Sequence, residues 1–155
     1  MIFRKATIDD IPELVECRKR QLVDEGQSPD IDITEPNIEY FEERFESGQM
    51  EGWVCVDEAR EKGSRIIATG ALIYFDFPPS FENNGGHKAY IANIYTDPAY
   101  RGKGICPRIL EILEDRAREK GCCRVWLDAS VMGKPVYEKR GLAENDKILL
   151  KDLIL

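Results

Sequence analysis

Residues 88–129 carry the pattern that most restricts how this chain can fold. The run KAYIANIYT ends at Thr96, Asp97-Pro98 opens a turn, Gly102 and Gly104 lead into GICPRILEILEDRAREKG, and CRVWLDA follows. Ile105, Ile109, Leu113 and Ala117 recur every four residues, so the middle segment is an amphipathic helix that Gly121 stops. The flanking runs read as strands, the first mostly apolar and central, the second buried. Strand, helix and strand in succession predict a crossover that sets two parallel strands in one sheet.

The remaining segments fit around that unit. MIFRKATI reads as a short strand. In DDIPELVECRKRQLVDEG, Ile11, Leu14, Val15, Arg18 and Leu22 follow helical spacing, with Pro12 in the first turn and Gly26 past the end. QSPDIDITEP is a loop, and NIEYFEERFESG a second helix with Ile38, Phe41 and Phe45 on one face. GWVCVD and SRIIATGALIYF are strands joined by a charged turn, which predicts antiparallel pairing. DFPPSFENNGGH is a Pro- and Gly-rich loop, KPVYEKRG a short helix, and KILLKDLIL a closing strand. No repeat or linker divides the chain, so one domain over residues 1–155 is expected. A chain of this length can bury roughly 70% of its unfolded surface. The expected class is α/β of the α+β type, a mixed, largely antiparallel central sheet with helices on both faces.

Composition removes several functions. The net charge of −7 argues against nucleic acid as a partner. No apolar run approaches the roughly 20 residues needed to span a bilayer, so no membrane partner is expected. MIFRKATIDD lacks the pattern of a secretory signal, and the five cysteines include no C-x-x-C pair. Reduced thiols and a cytoplasmic location are the expectation. His87 is the only histidine, and no Cys/His cluster has zinc-ligand spacing, so no metal is expected. The charge is unevenly spread, with 17 acids against 8 bases in residues 1–63 and 12 against 14 in residues 64–155.

YRGKGICP raises the question of what needs bare, cationic backbone at the mouth of a helix. Free N–H groups and the macrodipole make such a mouth an anion site, and glycine lets the ligand approach closely. Arg101 and Lys103 add charge, and Pro107 lacks an N–H that would be unbonded there anyway. A glycine turn that only starts a helix would look the same. A Walker A loop does not fit, since no Gly-Lys is followed by Ser or Thr. The dinucleotide fingerprint fails at its third glycine, where Pro107 stands.

RGKGIC, residues 101–106, resembles the [RQ]-x-x-G-x-[GA] signature of the GCN5-related N-acetyltransferases, with Cys106 in place of the usual small residue. IANIYTDPAYRGKG looks like that family's fourth strand and its exit. ASVMGKPVYEKRGL looks like its last motif, N-x-x-A-x-x-x-Y-x-x-x-G-F, with Ser130, Gly133, Tyr137, Gly141 and Leu142 at the corresponding positions. The order of elements matches along the whole chain.

The resemblance implies an acetyl-CoA-dependent N-acetyltransferase acting on a small-molecule amine or a peptide amine. It implies a V-shaped opening between the fourth and fifth strands, where the pantetheine amides pair with backbone at Ile94, Tyr95 and Thr96 as an added strand. Arg101, Gly102, Lys103, Gly104, Ile105 and Cys106 would hold the pyrophosphate, with Ser130 also among the cofactor-binding positions. Tyr137 would be catalytic, hydrogen-bonding the leaving sulfur. Direct transfer within a ternary complex needs no nucleophilic cysteine. Asp128, Asp97 and His87 are candidates by type for a general base, and none is assigned. The acidic excess of residues 1–63, where the family's acceptor-side helices lie, hints at a cationic acceptor such as a polyamine or aminoglycoside. Dimers are common in the family, which leaves a homodimer open. Two other readings stand beside the enzyme: a catalytically idle acetyl-CoA-binding regulatory module, and a nucleotide-binding oxidoreductase resting on the glycine turn alone.

Overall fold

Apolar residues on one face of each helix and alternating along each strand assemble a sheet with two cores, one on each side. In the computed structural model, which describes residues 1–154, the strands are β1 (Ile2–Lys5), β2 (Met50–Val56), β3 (Ile66–Asp76), β4 (His87–Thr96) and β5 (Val125–Trp126). The helices are α1 (Ile11–Asp24), α2 (Thr34–Ser47), α3 (Ile105–Glu119) and α4 (Lys134–Lys139). The strands lie in sequence order; β1 to β4 are antiparallel neighbours and β4 and β5 are parallel. This is the mixed, largely antiparallel sheet that the sequence predicts, with the crossover through α3.

One face of the sheet is covered by α1 and α2, where Ile11, Val15 and Phe41 meet Met50, Val54 and Ala71. The other is covered by α3 and α4, where Ile109, Leu110 and Leu113 meet Ile67 and Leu72. The α3 helix sits close because β3 has a glycine beneath it. A Cβ at Gly70 would lie 2.5 Å from Ile109 Cγ2 and 3.1 Å from Leu113 Cδ1, closer than packed carbons approach.

A buried ion pair ties β2 to α3. Glu51, only 4% exposed, accepts hydrogen bonds from Arg116 Nε at 2.6 Å, Arg116 Nη2 at 3.1 Å and Trp53 Nε1 at 3.2 Å. Burial pushes its carboxyl up, but the donors outweigh burial and hold it below its ordinary value. A carboxyl depressed in the folded state stabilises fully above its unfolded pKa of about 4.3, and loses that contribution as pH falls through the folded value. Glu51→Gln should therefore flatten the acid limb of a stability–pH curve measured by urea unfolding. It should also lower stability at pH 7 by about 1–3 kcal/mol, the range for weakened charge-assisted hydrogen bonds, because Arg116 keeps its pair with Glu119. An unchanged acid limb would remove the pair from the stability of the fold.

Three expectations need correction. The closing strand expected in KILLKDLIL is not formed over residues 147–154; Leu155 lies outside the described residues. The sheet ends at β5, whose ladder has two residue pairs, so a further strand would find little backbone to join. Ile148, Leu149, Leu150, Leu153 and Ile154 are consequently exposed. The strand expected over residues 123–129 is only Val125–Trp126, half-buried, because β4 and the chain after Trp126 part company. The second helix begins at Thr34 rather than Asn37. Asp32 accepts from the Thr34 N–H at 2.9 Å and its hydroxyl at 2.6 Å, and Pro36 is tolerated in a first turn that needs no N–H there.

Candidate active site

The site begins where the parallel pairing stops. β4 and β5 meet only at Ala89 with Val125 and Tyr90 with Trp126. Beyond that point a cavity of about 510 Å³ lies between Tyr90–Ile94 on one side and Leu127, Asp128 and Tyr137 on the other. Both edges there are backbone without a strand partner, which an extended ligand can fill.

Within β4 the ladder to β3 shifts: Ala92 faces Ala71 and Tyr95 faces Thr69, so Asn93 and Ile94 together oppose Gly70. This is a β-bulge, with Asn93 at φ 55° as the only non-glycine residue with positive φ among the described residues. Asparagine tolerates that region better than most residues. The buried Thr69 holds the bulge by donating its hydroxyl to Asn93 O at 2.6 Å. The bulge turns the backbone of Asn93 and Ile94 at the edge of the cavity. A single polar residue inside the apolar run YIANIYT was the only sequence signal for it.

At the end of β4 the chain passes Thr96 and the 3₁₀ turn Pro98–Tyr100 before reaching α3. Gly102 and Gly104 both have positive φ, 74° and 79°, and a Cβ at either would meet nothing within 4 Å. The first bond inside α3 runs from Arg108 N–H to Gly104 O at 3.3 Å. The N–H groups of Ile105 and Cys106 therefore have no partner within the helix, and Pro107 has none to offer. Residues 101–104 are exposed and Ile105 is buried. Arg101 is engaged elsewhere: its Nη2 pairs with Asp24 at 2.8 Å and its Nε donates to Thr96 O at 2.9 Å. Lys103 lies with its Nζ 5.3 Å from the Tyr100 ring centroid.

Tyr137, 8% exposed, projects from α4 to the cavity and into the core beside α3. Gly133 makes room for it, since a Cβ there would be 2.9 Å from Tyr137 Cε2. Ser130 shapes the same turn, its Oγ accepting the Gly133 N–H at 3.0 Å. Burial pushes the Tyr137 phenol well up, so it stays protonated and can donate. Burial also pushes the Cys106 thiol up to about 11, which keeps it from being a thiolate nucleophile.

The three candidate bases separate in space. Burial raises Asp97, but the Ala99 N–H and Arg60 at 3.0 Å outweigh it and hold the carboxyl low. His87 pairs with Asp76 at 2.6 Å at the far end of β4, roughly 30 Å of strand from Thr96. Asp128 alone lines the cavity, where it accepts the Tyr90 hydroxyl at 2.9 Å. Arg18 and Gln21 of α1 and Glu25 at its C-cap also face the cavity, and the sequence reading does not single them out as site residues. A helical repeat marks them as one stripe, but not what the stripe faces.

The sheet thus parts between two parallel strands beside an open helix mouth, an arrangement that can hold an extended, anionic ligand. Residues 13–142 match the Acetyltransferase (GNAT) family, and the chain belongs to it. Over 110 residues it is 34% identical to glucosamine 6-phosphate N-acetyltransferase of Arabidopsis thaliana, covering 69% of this chain and 71% of that one. A predicted acetyltransferase from Clostridium acetobutylicum, solved with acetyl-CoA, superposes with a TM-score of 0.89 at 40% identity, over 98% of this chain and 96% of that one. The solved glucosamine-6-phosphate N-acetyltransferase of Arabidopsis thaliana superposes with a TM-score of 0.72 at 26% identity, over 99% and 98%.

The residues present suit acetyl-CoA. The unpartnered edge of β4 matches an amide-bearing chain, and the open space over Gly102 and Gly104 leaves room for phosphates beside free N–H groups.

Proposed function

We propose that this protein transfers an acetyl group from acetyl-CoA to the primary amine of a small-molecule acceptor, by direct attack while both are bound. The observation that carries this reading is the cavity itself. It sets the bulged backbone of β4, the protonated Tyr137 phenol and the Asp128 carboxylate around one space. The relatives' names, N-acetyltransferases of glucosamine 6-phosphate, support an amine acceptor of small size.

Acetyl-CoA supplies an acyl group already activated as a thioester. The backbone of Ile94, Tyr95 and Thr96 would bind the pantetheine edge, and an N–H at the bulge would polarise the acyl carbonyl as charge builds on its oxygen. Gly102, Lys103, Gly104, Ile105 and Cys106 would hold the pyrophosphate at the mouth of α3. Arg101 would brace the turn, since Asp24 already takes its charge. Ser130 would set the angle of α4 and so of Tyr137. An ordinary tyrosine pKa of about 10 already exceeds a thiol's roughly 8.5, and burial widens the gap. Tyr137 therefore acts by hydrogen-bonding the departing sulfur, or by relaying the proton the amine sheds. Asp128 is the group placed to help that proton leave.

The test is release of CoA thiol from acetyl-CoA in the presence of a panel of amines, run alongside thermal melts. Acetyl-CoA should raise the melting temperature by mass action, while pantetheine without the pyrophosphate should do much less. Stabilisation by acetyl-CoA with no thiol release from any amine would leave a binding module and overturn the transferase reading.

A further inference from the structure

The acceptor end of the cavity is built mainly by α1 and α2, and its charges sit on one stripe that runs along α1 to its C-cap. Arg18, Gln21 and Glu25 are three and four residues apart, so they share a face, with about 10 Å between the first and last Cα. Apolar walls come from Phe41, Met50 and Ile73.

Two groups on this stripe lack partners. The half-buried Arg18 pairs with no carboxylate among the described residues, because the nearby acids are engaged elsewhere. Glu16 pairs with Lys19, Asp24 pairs with Arg101, Glu25 accepts the Gln21 amide at 3.1 Å, and Asp128 accepts the Tyr90 hydroxyl. Gln21, 9% exposed, spends its Nε2 on Glu25 and leaves Oε1 buried with no hydrogen-bond partner. A buried carbonyl oxygen left unsatisfied costs free energy that a ligand N–H or O–H can recover. An unpaired guanidinium in a cavity calls for an anion, and its planar fork suits a carboxylate.

The charge balance sets how many negative charges that anion can bring. Arg18 is the only cation on the cavity wall, against Glu25 and Asp128. With the wall at a net −1, an ammonium compound with one carboxylate adds no further net charge. One with a phosphate dianion brings the site to −2, two carboxylates repelling it with one guanidinium to offset them. A simple ammonium would balance the wall but leave Arg18 unpaired. From this geometry we propose that the acceptor is a zwitterion, a primary amine carrying one carboxylate seated on Arg18 and an N–H or O–H satisfying Gln21 Oε1. This rests on the acetyltransferase reading and deepens it, and it separates this chain's acceptor from the phosphorylated amino sugar of its named relatives.

The experiment compares amino acids with their decarboxylated amines, and glucosamine with glucosamine 6-phosphate, against the wild-type protein, Arg18→Gln and Arg18→Lys. With the wild type, the best amino acid should exceed its decarboxylated amine and glucosamine 6-phosphate by about 10–100-fold in kcat/KM, the range of one charge-assisted pair. Arg18→Gln should raise KM for the amino acid by a similar factor, and Arg18→Lys should recover part of it. Removing the ligand carboxylate and removing the guanidinium should not add, since each deletes the same contact. Calorimetry with acetyl-CoA should give the same affinity for all three proteins. Additive losses, or glucosamine 6-phosphate as the best acceptor, would overturn the proposal. If no amine is turned over, the acetyltransferase reading fails separately. The zwitterion is then judged by titrating the amino acids into CoA-saturated protein, and absence of binding sensitive to Arg18→Gln would overturn it.

Discussion

Tyr137→Phe should lower kcat by about 10²–10⁴-fold while leaving acetyl-CoA affinity and the melting temperature nearly unchanged. The magnitude is that of a positioned proton donor, at the lower end if the proton is relayed. The loss should fall on kcat because a hydrogen bond to sulfur strengthens only as charge accumulates there. Packing should survive, since the ring is placed by the space above Gly133 and by the core beside α3 rather than by its hydroxyl. A melting curve is read first, then single-turnover rates of CoA release, so that product release does not mask the chemical step. An unchanged single-turnover rate would return Tyr137 to the role of a core aromatic.

Gly104→Val should weaken acetyl-CoA binding by about 10–100-fold, the effect of disturbing charge-assisted bonds from backbone N–H groups to phosphate. Nothing in the protein lies within 4 Å of the added Cβ, so the fold has room for it. The side chain would instead fill open space at the turn that leads into α3, where the pyrophosphate is proposed to lie. A valine at φ 79° also carries strain of about 1–2 kcal/mol, which should show as a modest drop in stability. Gly104→Ala should share the strain and lose less affinity, so the pair separates strain from obstruction. Titration calorimetry giving both variants the wild-type affinity would move the pyrophosphate away from this turn.

The parts of this molecule legible in the sequence are those fixed by short-range pattern. The four-residue spacing of Ile105, Ile109, Leu113 and Ala117 placed α3, and the glycines before it placed an open turn. Tyr137 stands at the tyrosine of the family's last motif, and it does reach the cavity. What stayed hidden depends on partners far along the chain. Arg101 looks like a phosphate ligand locally, yet its guanidinium is taken by Asp24, 77 residues earlier. KILLKDLIL has the composition of a strand, but whether it pairs is decided by how much edge β5 offers. Most of the acidic excess of residues 1–63 lies away from the site, since Glu25 is its only acid on the cavity wall, beside Arg18. Bulk charge therefore says little about the site, where one cation and two carboxylates share the wall.

The bulge at Asn93 also changes which side of the sheet each half of β4 serves. In a regular strand, residues four apart point the same way. Ile91 and Tyr95 do not: Ile91 is buried in the core beneath α3, and Tyr95 in the core beneath α1 and α2. One extra residue has shifted the alternation by half a period, so the strand is anchored to opposite layers on either side of the kink. Straightening it would carry one of these side chains out of its core and into the other layer. The two layers thus grip β4 from opposite sides, like the jaws of a clamp, and hold the backbone between them in its turned position.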